Sequence, residues 1–432
     1  MIEPAQSGLP TPSKSRFYYG WVVVISGAVA SATITTLLFA FGIFLVPISE
    51  ATGWTRGEIS LGSMINYIAG AIAAMAIGWM VDRFGSRRTM FAGGLVAMAS
   101  LILTGQAATL IQFYIFYGLL WGVSRGTFLA PVHVAVGLWF KKRLGVALGL
   151  VNISLALGPF LLNPLIRHLI TQVGWADAFV WMGLGGAVIL MACILVFRNQ
   201  PSDKGLLAYG DEPASPTAGP SPPSRQARFY RTDNPNFFRY ATKTQPFTLM
   251  ILIHFFGCVS HSIPLAHVVA MAQDKGISPL AATTVLSLIA GSSIVSRFGI
   301  SVLADAWDGR KAAALASFGQ AVGILLLLPA QELWQFYIFA VIFGLGYGGE
   351  MVVFPVLNRQ YYGMAPIATI YSTQLLGAGM GMAVGGYAGG LLFDLMGNYM
   401  AAIWLSFGAG ILGTLAALRM VPPFPKGEPQ LV

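Results

Sequence analysis

The sequence predicts an all-α membrane protein in which twelve transmembrane helices form two six-helix bundles. Three observations carry that prediction. Hydrophobic residues make up 56% of the 432 residues and charged residues only 9%, against about 25% charged in soluble chains. Twelve apolar runs are each long enough to cross a bilayer, which takes about 20 residues. A Pro- and Arg-rich stretch lies midway and divides the runs six and six. A composition this apolar excludes a water-soluble enzyme, a disordered chain and a nucleic-acid binder, despite the net charge of +9.

In order, the runs cover residues 18–47, 57–81, 89–108, 111–138, 145–169 and 175–197, then 247–272, 278–304, 311–330, 334–357, 366–392 and 398–420. The first run is too long, and starts too late, for a cleaved signal peptide. Between the sixth and seventh, residues 198–246 contain Pro213, Pro216, Pro220, Pro222 and Pro223, then Arg225, Arg228, Arg231, Arg239 and Lys243. That composition buries no core and reads as a mobile linker. The expected organisation is an N-terminal tail (1–17), a first bundle (18–197), the linker (198–246), a second bundle (247–420) and a C-terminal tail (421–432).

Orientation follows from the positive charges. With the N-terminus in the cytoplasm, Arg56, Arg167 and Lys275 fall outside and Arg125 and Arg297 fall within spans. The remaining 20 of 25 Lys and Arg lie on cytoplasmic segments. Positive loops stay in the cytoplasm, so both termini are expected there. Cys193 and Cys258 stand in apolar runs with no metal-ligand spacing around them. Gly344, Gly346, Gly348 and Gly349 form no nucleotide loop, because no strand precedes them and they lie within a span. No cofactor or metal is expected, and no enzyme chemistry.

An internal repeat supports the two halves. Gly78, Asp82, Arg83, Gly85, Arg87 and Arg88 stand between spans two and three, and Asp305, Arg310 and Lys311 between spans eight and nine. In both copies a basic pair follows an aspartate by five and six residues, at the same point of a six-span half. The expected device is a helix-end clasp, its aspartate at a neighbouring helix N-terminus and its basic pair at the lipid headgroups. On this motif the chain resembles the major facilitator superfamily. The second copy departs from the pattern at Ser301 and Ala306.

A narrower resemblance begins at Trp139-Phe140-Lys141-Lys142-Arg143, followed by Gly145, Ala147 and Gly149. It is similar to a signature of the monocarboxylate porters. Tyr18-Tyr19-Gly20-Trp21 and the run Gly389-Gly390…Phe393-Asp394…Gly397…Tyr399 also resemble members of that family. The resemblance implies alternating access around a midplane site in the cytoplasmic (inner) membrane. It implies a monomer that carries a small monocarboxylate of the lactate or pyruvate kind with a proton. Carboxylate exchange or dicarboxylate uptake is the alternative within transport. A transporter-like sensor and a drug exporter stand further off.

Charges within spans are expensive and mark candidate sites. Arg297, in span eight, offers a guanidinium that can hold a carboxylate by two parallel hydrogen bonds. In the monocarboxylate porters, and in the related oxalate–formate exchangers, an arginine of that span serves the substrate. The resemblance further implies that His267 and Asp274, on one face of span seven, sit near the substrate or handle protons. Family members also use an aspartate four residues before the arginine, a lysine in span one or a lysine in span eleven. Here Ser293 takes the first position, span one has no charge, and span eleven offers Tyr371 and Gln374. Tyr347, Tyr371 and Gln374 are therefore candidate cavity residues. His261 joins Asp274 as a candidate for proton coupling, since histidine titrates near neutrality. Arg125 in span four and Glu350 in span ten occupy nearly equivalent places, because aligning Gly122…Pro131 with Gly346…Pro355 puts Arg125 opposite Gly349. They are expected to pair across the two halves as a gate or coupling device.

Overall fold

In the computed structural model, residues 17–211, 237–306, 308–362 and 367–422 are described. Most of both tails and residues 212–236 lie outside that set, as does the side chain of Asp305. Among the described residues, twelve long helical segments follow one another. The first bundle holds α1 (Gly20–Thr52), α2 (Arg56–Phe84), α3 (Ser86–Gly105), α4 (Leu110–Trp139), α5 (144–173) and α6 (175–196). The second holds α7 (Gln245–Gln273), α8 (Pro279–Ala306), α9 (Gly309–Leu325), α10 (Leu333–Tyr362), α11 (Ile367–Met396) and α12 (Met400–Leu418).

Local chemistry sets the breaks. Gly53, with φ 75°, ends α1, and Thr55 and Glu58 close a capping box that starts α2. A second box, Thr109 with Gln112, starts α4, which passes through a π-helical stretch at Tyr114–Leu120. Gly174 (φ 82°, ψ 170°) is the sole non-helical residue between α5 and α6, a conformation that suits a residue without Cβ. Asp308 caps α9 by accepting from the Arg310 N–H.

The two bundles repeat one packing plan. In the first, α1 packs on α5, α2 on α4, and α3 on α6; in the second, α7 packs on α11, α8 on α10, and α9 on α12. Between the bundles α2 lies along α11, α5 along α8, and α1 against α7. Each of the first two contacts is the other's counterpart when six is added to the helix number. The helices are apolar on their outer faces as well, with Ile72, Leu161, Val188 and Val295 exposed. Lipid is as apolar as a protein core, so nothing selects against this.

The first residues of the expected linker are held against the first bundle. Residues 198–211 fold back on the first bundle. Tyr209 and Phe140 form a short parallel bridge, and Lys141 pairs with Asp211 at 2.7 Å. The Tyr18 hydroxyl donates to the carbonyls of Trp139 and Leu207, and the Trp21, Phe140 and Tyr209 rings pack together beside it. Two of the motifs that carry the family resemblance, far apart in the chain, thus meet in one aromatic knot. Gly20 sits against the Tyr18 and Phe140 rings with no room for a Cβ.

The repeated basic motif also works differently from expectation. Arg87 donates to the carbonyls of Ile194 and Leu195 at the end of α6, and its own N–H donates to Asn199. Arg310 likewise donates to the carbonyl of Met420, just past α12. In each half, a basic side chain at the start of the third helix caps the C-terminus of the sixth, where cations are favoured. Asp82 is exposed, and among the described residues no ion pair or side-chain hydrogen bond engages it. Arg83 lies over Trp79 and Phe84, and Arg88 and Lys311 are exposed. At Gly78 a Cβ would meet open space.

Candidate functional site

Between the bundles, about midway along α8, lies a cavity lined by Phe39 (α1), Ala156, Pro159 and Asn163 (α5), Leu265 (α7), Ser293 and Arg297 (α8) and Tyr347 (α10). About 20 Å³ of it accepts the centre of a water molecule, roughly the space for one water. The walls are mainly aliphatic and aromatic. Arg297 supplies the cation, and its Nη1 donates to the Asn152 carbonyl across the bundle interface at 3.1 Å. Tyr347 is buried, and its ring parallels Phe343.

Asn163 is the residue that sequence reasoning missed. It is fully buried, it lines this cavity, and neither its Oδ1 nor its Nδ2 has a hydrogen-bond partner among the described residues. Buried amides are normally satisfied. The signal in the sequence was an Asn in an otherwise apolar run just before Pro164. The bare amide offers an NH2 donor group and a carbonyl acceptor to whatever enters.

Several expected residues stand elsewhere. His267 is fully buried, but both ring nitrogens are used: Nε2 faces the Gly386 carbonyl at 2.8 Å and Nδ1 the Tyr399 hydroxyl at 3.2 Å. It ties α7 to α11 and does not line the Arg297 cavity. Gln374 is also fully buried and is locked to Asn358 by two amide hydrogen bonds of 2.8 and 3.0 Å, joining α11 to α10. Tyr371 packs near His254 at a ring separation of 6.1 Å, also away from the cavity. Of the five residues expected to touch substrate, the structure brings Arg297 and Tyr347 together and leaves out His267, Tyr371 and Gln374.

Arg125 and Glu350 do not meet in this conformation. Arg125 donates through Nε to Asn66 at 2.8 Å and lies over the Tyr67 ring at 4.8 Å, all within the first bundle. Glu350 instead turns toward α7, with Oε2 3.6 Å from Nδ1 of His261. Each side chain is accommodated inside its own half, so the expected pairing is absent here.

Asp274 has a different partner from those foreseen. At the face opposite Tyr18 and Met420, Arg56 of α2 grips it with two bonds of 2.6 Å. Arg56 also donates to the Tyr399 hydroxyl at 3.0 Å and lies 3.9 Å from the Phe393 ring centroid. Asp394 accepts from the Gly57 N–H at 2.7 Å. These bonds join the two bundles at that far face. Arg56 reads in the sequence as a lone positive charge in a short loop, which concealed its role.

Comparison with known proteins adds the lineage. A family model described as Major Facilitator Superfamily matches residues 23–265 and again 250–431. Monocarboxylate transporter 13 of Rattus norvegicus is 27% identical over 411 residues, covering 92% of this chain and 89% of that protein. The uncharacterized MFS-type transporter YcxA of Bacillus subtilis (strain 168) is 24% identical over 427 residues, covering 93% and 95%. Among solved structures, the nucleoside transporter NupG superposes with a TM-score of 0.71 at 10% identity, covering 93% of this chain and 99% of that one. A bacterial homologue of the human lysosomal transporter Spinster, inward-facing and unoccupied, gives 0.65 at 14% identity, covering 94% and 95%. At such identities these two likenesses concern the fold alone.

Proposed function

Because the chain belongs to the major facilitator superfamily, we propose that it carries a small monocarboxylate, of the lactate or pyruvate kind, together with a proton. One observation carries this reading: a half-buried guanidinium, Arg297, in the wall of an otherwise apolar cavity between the two bundles. In this conformation the cavity has roughly the space for one water, so a short acid enters it as the bundles move apart. A short acid entering it would exchange its hydration for the Arg297 fork, a charge-assisted contact. Asn163 stands ready to bond a hydroxyl or oxo group on the adjacent carbon, which an apolar wall alone would penalise. The similarity to proteins named monocarboxylate transporters supports the same cargo class.

Exchange of a dicarboxylate has less support. A second carboxylate would need Arg125 at the same cavity, whereas Arg125 lies in its Asn66–Tyr67 cradle. The protein would sit in the inner membrane as a monomer with both termini cytoplasmic, which makes the far face the external one. The Arg56–Asp274 bonds then close the outside in this state, and transport proceeds as the bundles rock about the site.

A thermal-shift screen of short carboxylic acids on the purified protein, repeated with Arg297→Ala, tests the reading. Wild type should be stabilised by at least one monocarboxylate, and the variant by none. Stabilisation that survives in Arg297→Ala, or a wild type indifferent to every acid, would refute it.

A further inference from the structure

Glu350 is a charge-bearing group that the Arg297 site does not use. It lies mid-way along α10, 3% exposed, and neither carboxylate oxygen meets a hydrogen-bond donor among the described residues. The side chain crosses to α7 at Gly257, where a Cβ would overlap it. One turn further along α7, His261 is equally buried, with Nδ1 3.6 Å from Oε2, and that nitrogen has no hydrogen bond either. A buried carboxylate that meets no donor is costly to hold ionised, and taking up a proton removes that cost.

The surroundings narrow what the pair can do. α7 presents His254 and Cys258 beside it, α10 presents Tyr347, and Tyr371 of α11 lies near Cys258. α9 supplies Gln320, which donates to the Gly257 carbonyl, and α12 supplies Ser406, bonded to Ser260. Arg297 of α8 and Tyr67 of α2 reach this group through Tyr347. Tyr347 therefore stands between two sites. Its ring meets His261 edge-on at 5.0 Å, and it lines the Arg297 cavity.

We propose that Glu350 is the seat of the transported proton and His261 the relay that delivers it from the cavity; this deepens the proton–monocarboxylate reading and rests on it. The step is a simple transfer. A proton arriving on the imidazole passes to the carboxylate, the N–H bond breaks, the O–H bond forms, and His261 returns to neutral. Coupling follows from charge. An incoming carboxylate adds a negative charge to the buried region that Glu350 shares through Tyr347, and a proton taken up by Glu350 removes it. Reciprocally, protonation strengthens carboxylate binding by the same factor. The empty and fully loaded carrier then hold the same net charge in this region, and either half-loaded form differs by one unit in a setting that penalises it.

The test uses the purified full chain in liposomes with radiolabelled L-lactate. Wild type should accumulate lactate down a proton gradient and also perform lactate counterflow at equal pH. Glu350→Gln should lose about tenfold or more of the gradient-driven accumulation while keeping counterflow, now insensitive to pH. His261→Asn should slow accumulation while leaving its stoichiometry intact. Accumulation that survives in Glu350→Gln would overturn the proposal. Infrared difference spectra of wild type, lactate-loaded minus empty, provide a readout that does not depend on the variant folding. They should gain the C=O stretch of a buried protonated carboxyl, and a spectrum without that band overturns the proposal as well. Wild type that counterflows lactate without using the gradient refutes the proton coupling and its seat, and leaves the carboxylate cargo standing. Wild type that neither binds nor carries any short acid refutes the carboxylate reading, and the proton seat with it.

Discussion

Removing Arg56 should open the far face. Arg56→Ala deletes the two 2.6 Å bonds to Asp274, the hydrogen bond to Tyr399 and the stacking on Phe393. The Arg56 and Asp274 side chains are 13% and 33% exposed, so the ion pair is discounted for solvent and set at about 1 kcal/mol. The cation–π contact adds about 0.5–1 kcal/mol, and the Tyr399 hydrogen bond about 0.5–1 kcal/mol. The total of about 2–3 kcal/mol corresponds to roughly a 30–150-fold shift toward the far-face-open state. Asp274→Asn alone should shift it by roughly fivefold, since the stacking remains. Nitroxides at Glu50→Cys and Leu395→Cys, with Cys193 and Cys258 replaced by serine, would report the separation of the bundles by pulsed electron resonance. A distance distribution in Arg56→Ala identical to that of the parent would show that the far face is held shut by something other than this cluster.

Other substitutions probe separate contacts. Arg297→Lys keeps the charge but loses the fork, and should weaken carboxylate binding by about 1.5–3 kcal/mol in a titration. Asn163→Leu should leave binding of propionate within about threefold of wild type while weakening lactate by about 1–3 kcal/mol, because only lactate needs the amide. Equal losses for both acids would remove Asn163 from recognition. Arg310→Gln should lower stability by about 1 kcal/mol, read as a lower melting temperature with unchanged lactate affinity, since it frees a helix-end carbonyl far from the cavity.

The twelve spans were legible because each had to be apolar throughout its length, and Arg297 was legible because a charge in such a run stands out. What the sequence concealed was which faces meet. Helices that are greasy on every side carry no stripe to say which flank turns inward, so Asn163 could not be told from any other polar residue in a span. His267 looked available until Tyr399, 132 residues away, came to rest on its ring. Gln374 was hidden in the same way by Asn358. Spacing grouped Arg87 with Arg310. Their targets are backbone carbonyls, which no side-chain pattern records. Residues 198–211 were misjudged because polar composition cannot register a strap held mainly by its own backbone and a few rings.

The aromatic knot has a practical bearing on where the molecule can be divided. A fragment ending at Val196, where α6 stops, would keep every rod of the first bundle yet discard the strap that covers Tyr18, Trp21 and Phe140. Those rings would face water at the mouth of the bundle. An excised half that is meant to stay soluble in detergent should therefore extend to Asp211, which anchors Lys141.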